Sequence, residues 1–194
     1  MSARLRPLAP AELDAKQREL YAEITGGPRA AGAGHFDLTD SDGHLRGPFN
    51  AMLLSPALGS ALQGLGAAVR YRTHLTDRTR ELAILVVAQA WDSDFERHAH
   101  ERVGAAAGLT PDELLALREG RDLSLPDPYE QAAWAFTRAV TSQFGALNEH
   151  QYDSARTTLG ERTLFELSTL VGYYSALALQ LRLFDVTART SQDS

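Results

Sequence analysis

The chain has 194 residues, 44% of them hydrophobic and 23% charged, the balance of a soluble globular protein long enough to bury a core. A formal net charge of −6 argues against nucleic acid as a partner. With no cysteine, disulfides, thiolate metal sites, iron–sulfur clusters and a cysteine nucleophile are all excluded.

Residue choice predicts an all-α protein. There are 30 Ala and 29 Leu but only two Ile and seven Val, and strands favour the β-branched types. Helices are expected near residues 10–24, 56–71, 77–90, 94–107, 111–119, 128–144, 148–159 and 161–184. Ser55-Pro56 puts a capping residue before a proline at the first helical position. Thr110-Pro111-Asp112-Glu113 and Asp127-Pro128-Tyr129-Glu130 add a glutamate three residues after the cap. Between the first two helices, residues 26–48 carry six glycines and read as an irregular Gly-rich loop. Residues 185–194 read as a polar tail, and residues 1–194 as a single helical domain. The longest apolar run, residues 82–90, is far short of the roughly 20 residues of a membrane span. No apolar stretch follows Arg4 and Arg6, so no signal peptide is expected. The expected location is the cytoplasm, with no membrane partner. A weak internal echo pairs Glu81-Leu82 through Val86 with Glu166-Leu167 through Val171, each opening an apolar helix.

The chemistry-bearing stretch is residues 76–109. Glu81 stands near the start of an almost wholly apolar helix, and burial there would make it an ionisable group in a low-dielectric place. In the next helix Ser93, Glu96 and His100 fall on one face, while His98 points about 160° away from His100. A carboxylate beside an imidazole orients the ring for proton transfer near neutral pH. Plainer readings stand beside this one. Ser93-Asp94-Phe95-Glu96 is also a capping box, and Glu81 also fits a pair with Arg78 or Arg80. Glu81, Glu96 and His100 together also describe a metal site, although no HExxH is present.

These residues resemble the carboxymuconolactone decarboxylase-like family, which includes the alkylhydroperoxidase D (AhpD) type proteins. The resemblance rests on Gly47-Pro48-Phe49-Asn50-Ala51, Arg70-Tyr71-Arg72 and Arg80-Glu81-Leu82-Ala83-Ile84-Leu85. Trp91, Phe95-Glu96, Ala99-His100-Glu101, Ala106-Ala107-Gly108-Leu109 and Leu170-Val171-Gly172-Tyr173-Tyr174 extend it. The peroxidase branch spaces a glutamate, two cysteines and a histidine so that they fall on Glu81, Ser93, Glu96 and His100. Both thiols are therefore replaced, and a dithiol peroxidase cycle is excluded. The resemblance implies the family's all-α fold and homo-oligomers of three or six subunits. It also implies a lyase-type enzyme that uses no cofactor and no metal on a small carboxylated or lactone-type substrate. His100 would be the proton donor, Glu96 would orient it, and Glu81 would tune the pair or act as base. Asn50, Trp91 and Ser93 would line the substrate pocket, and Arg72 or Arg80 would hold a substrate carboxylate. The rival reading is a non-catalytic oligomer that binds a small ligand or a protein.

Overall fold

Helix-start chemistry sets the boundaries seen in the computed structural model, which describes residues 4–27 and 37–186. A 3₁₀ turn at Pro10–Glu12 precedes α1, Ala15–Gly26. Helix α1 begins later than residue 10 because Leu13 is extended and Asp14 is the cap: Gln17 N donates to Asp14 Oδ1 at 2.9 Å, and Asp14 N to Gln17 Oε1 at 3.0 Å. A short α2, Phe49–Met52, has too few residues to show a helical period, and the sequence reading lacked it. Then come α3 (Pro56–Tyr71), α4 (Asp77–Ala90), α5 (Asp94–Ala106), α6 (Pro111–Glu119), α7 (Pro128–Ser142) and α8 (Glu149–Leu183). The expected box at Thr110 and Glu113 is present, with Thr110 N donating to Glu113 Oε2 at 2.7 Å. Helix α8 is interrupted at Gly160, whose φ of 76° lies in the left-handed region, and this is where two helices were expected to meet. Among the described residues there is no strand, only an isolated bridge between Thr39 and Leu45. Residues 28–36 of the Gly-rich loop and 187–194 of the tail lie outside the described residues. No described helix is long and apolar enough to cross a membrane.

The helices pack into two compact units, Met1–Arg72 with Leu179–Ser194, and Thr73–Ala178. In the first, α1 and α2 both pack on α3. Leu13, Leu20, Ile24, Phe49, Met52, Leu53 and Val69 are buried there. Gly59 permits the close approach, since a Cβ at that position would sit 2.5 Å from Met52 O and 2.7 Å from Leu20 Cδ2. Gly59→Ala is therefore expected to cost about 2 kcal/mol, as overpacking does, and to lower the urea midpoint with the slope unchanged.

In the second unit α4 is the central element, packed against α5, α6 and α7. Ten of its residues, from Thr79 to Ala88, are buried in succession, so its apolar side chains have neighbours all round. Leu82, Leu85 and Val86 form a cluster with Leu109, Leu117, Leu125 and Trp134. Arg78, at the rim, ties three elements together: it donates to Glu130 at 2.9 Å and to Glu113 at 2.6 Å, and also to Gly108 O.

Candidate active site

Burying α4 on every side carries Glu81 inside with it. Thr76 starts the helix by accepting from Thr79 N at 3.1 Å, and five residues after that cap Glu81 is fully buried. The chain then turns sharply. Asp92 adopts φ 50°, and Ser93 N donates to Ala88 O at 2.9 Å, which folds α5 back along α4. His100 lies on the face of α5 turned inward, whereas His98 is exposed, as the helical period requires.

The two helices meet in a hydrogen bond. His100 Nδ1 donates to Glu81 Oε2 at 2.6 Å, with both residues buried. A charge-assisted bond of this length in a low-dielectric setting fixes the ring orientation and assigns Nδ1 to the carboxylate. Arg80 stands beside the pair: its Nε is 3.6 Å from Glu81 Oε1, and its Nη2 donates to Asp77 Oδ1 at 2.7 Å. From α8, the Tyr174 ring meets the imidazole edge-on, with centroids 5.3 Å apart, and Tyr173 stands edge-on to Tyr174 at 5.2 Å.

Glu96 occupies a different environment. It is buried, and neither of its oxygens has a hydrogen-bond partner among the described residues. Burial without compensation disfavours the charged form and pushes its carboxyl up to about 8, so at neutral pH it holds its proton. Ser93 Oγ is likewise buried and unpartnered. The capping-box reading is thereby overturned. Ser93 holds the cap position by its backbone alone, and its side chain makes no cap bond. The expected pairing of Glu96 with His100 also changes, because the carboxylate on the ring is Glu81's. Spacing of four residues puts two side chains on one face but does not decide which rotamer closes the contact.

The other sequence-selected residues fall as follows. Trp91 Nε1 donates to Ser175 Oγ at 3.0 Å. Asn50, in the first unit, accepts from Leu8 N and donates to Arg6 O, each at 3.2 Å, so its amide holds the N-terminal segment. Arg72 is exposed at the end of α3 in that same unit. Among the described residues the carboxylate and imidazole group whose ligand atoms all lie within 4.8 Å of one another is Asp40, Asp42 and His44, not the set that the metal-site reading named. Tyr174 and Ser175 were not singled out as site residues by the sequence. They reach the site through a helix more than 70 positions downstream, and local spacing carries no signal for such a contact. Glu166, the echo of Glu81, is also buried, but it accepts from His74 N at 2.9 Å and from Arg162 Nε at 3.1 Å.

Residues 56–139 match the carboxymuconolactone decarboxylase family, a span that includes Glu81, Ser93, Glu96 and His100. No curated protein matches the chain. Among solved structures, the chain is similar to the debrominase Bmp8, in a variant with alanine in place of a cysteine, in complex with 2,3,4-tribromopyrrole. That likeness has a TM-score of 0.72 at 15% identity and covers 98% of this chain and 94% of the other. An AhpD-core, peroxidase-related protein from Ralstonia eutropha JMP134 gives a TM-score of 0.73 at 14% identity, covering 98% and 93%. A protein of unknown function from Agrobacterium tumefaciens, ATU0492, described as a putative antioxidant defence protein AhpD, gives 0.65 at 17% identity, covering 75% and 100%. At such identities these structures establish the fold, and the family match covers residues 56–139, less than half of the chain. The chain has the all-α fold of these structures, and within it residues 56–139 resemble the carboxymuconolactone decarboxylase family.

Proposed function

We propose that the chain is a cofactor-independent enzyme of the carboxymuconolactone decarboxylase-like kind, moving a proton on a small lactone or carboxylated substrate. The observation that carries this reading is the buried 2.6 Å contact between Glu81 and His100. Glu81 occupies Nδ1, so exchange with the substrate runs through Nε2. In a decarboxylation, the bond from the substrate carbon to its carboxylate breaks and carbon dioxide leaves. The electron pair moves onto a conjugated carbonyl as an enolate. The imidazolium of His100 then delivers its proton to carbon and is recharged from water. In an isomerisation the same ring takes a proton from one carbon and returns it to another. Glu81 is a positioning residue that also balances the charge of the imidazolium. Arg80 adds a cation beside the pair. The lack of cysteine removes the thiol route that an AhpD-type peroxidase needs.

A panel of unsaturated lactone acids and β-keto acids, followed by proton NMR, tests the proposal. Turnover of at least one member is expected, and Glu81→Gln should lower kcat by about 100-fold or more with KM little changed. A wild-type protein that leaves the whole panel intact, or a Glu81→Gln variant as fast as wild type, overturns it. We also read the chain as a homo-oligomer. Support comes from the apolar side chains of Leu54, Leu58 and Leu65, which remain exposed on the first unit.

A further inference from the structure

Three oxygens on the first turn of α5 are buried with no partner among the described residues: Ser93 Oγ and both carboxyl oxygens of Glu96. Leaving such groups unsatisfied is costly, and a folded protein retains them where something else is to complete them. Two ordinary explanations fail here. Ser93 does not cap α5, and Glu96 does not reach back to the Ser93 backbone, whose N–H goes to Ala88 O. Nor does Glu96 serve His100, whose Nδ1 is held by Glu81.

We infer that Ser93 and Glu96 form a hydrogen-bonding cradle for a carbonyl oxygen of the substrate, with the Glu96 carboxylic acid as its principal donor. The inference rests on the proton-transfer reading above and adds a substrate requirement to it: an acceptor oxygen one helical turn from the carbon that His100 protonates. Residues 93, 96 and 100 are spaced three and four apart, so they line one buried strip of α5 within about 60° of arc. A molecule touching His100 along that strip meets Glu96 and then Ser93. The strip lies at the N-terminus of a 13-residue helix, where the aligned peptide dipoles favour negative charge developing on the bound oxygen. A carboxyl that holds its proton is a donor, and a neutral acid stabilises an enolate oxygen without placing a second negative charge beside it. A buried ionised glutamate in this position would repel the same intermediate.

The test is calorimetric and uses an unreactive probe, so that binding is read without turnover. The probe is γ-carboxymethyl-γ-butyrolactone, compared with tetrahydrofuran acetate, which lacks the ring carbonyl. Wild-type protein should bind the lactone at least about 10-fold more tightly than the ether. Glu96→Leu should abolish that preference, Ser93→Ala should weaken it, and Glu96→Gln should keep most of it, because an amide N–H still donates. Wild-type protein with no preference, including one that binds neither compound, contradicts the inference. So does a Glu96→Leu variant that retains the preference. Because Glu81→Gln turnover tests the proton-transfer reading separately, failure of the cradle and failure of that reading are told apart.

Discussion

Glu96→Gln is expected to flatten the dependence of stability on pH between about 4.5 and 8. In the folded protein the Glu96 carboxyl is pushed up to about 8 by burial, while in the unfolded chain it titrates near 4.5. Between those values the folded state binds the extra proton, so raising the pH favours unfolding. The wild-type protein loses stability across that window by at most about 5 kcal/mol from this one group, and nothing further is lost from it above pH 8. A glutamine carries no titrating proton and removes this group's share of the slope. Chemical denaturation of both proteins at pH 5 and pH 8 reads the effect. The wild type should weaken by several kcal/mol more than the variant over that interval. Equal pH dependence in the two proteins would show that Glu96 is ionised when folded. Had Glu96 been a capping residue, its loss would instead cost about 1 kcal/mol. The two accounts therefore differ in sign at pH 8.

Loss of the imidazole is expected to produce the largest fall in rate. His100→Ala removes both the proton carrier and the hydrogen-bond partner of Glu81 Oε2, so it should lower turnover by about 100- to 10,000-fold and also cost about 3 kcal/mol of stability. His100→Gln separates the two effects. Its amide can still donate toward Glu81, so it should recover much of the stability and none of the rate. Steady-state kinetics and urea melts on both variants give the comparison. A His100→Gln enzyme within a few-fold of wild type would remove the imidazole from the mechanism.

Much of this architecture was legible in local chemistry, for reasons that name themselves. Helices α6 and α7 begin where the expected caps Thr110 and Asp127 accept from amides of the first turn, because satisfying free amides is a short-range matter, whereas Ser55 precedes α3 without a side-chain cap bond. The break at Gly160 was legible because only glycine takes that φ without strain. The run of apolar residues in α4 was likewise legible, and its burial is what the structure adds. Which carboxylate holds His100 was not legible. Spacing on α5 favoured Glu96, and the outcome turned on the sharp bend at Asp92, which sets the register of α5 against α4. The contact of Tyr174 with the ring was equally hidden, since the two residues lie more than 70 positions apart and meet only in the fold. Of the four positions picked out by the peroxidase-branch spacing, Glu81 and His100 form the buried pair, and Ser93 and Glu96, where the thiols would stand, carry the unpartnered oxygens.

Solvent-deuterium incorporation tests the account most directly. A lactone acid from the panel, converted in deuterium oxide and examined by mass spectrometry and NMR, should gain one deuteron at a single carbon per turnover with wild-type protein. With His100→Gln the incorporation should fall in step with the rate. Product formed by wild-type protein with no solvent deuteron at carbon, or labelling by His100→Gln at the wild-type rate, would contradict proton delivery by the histidine held on Glu81.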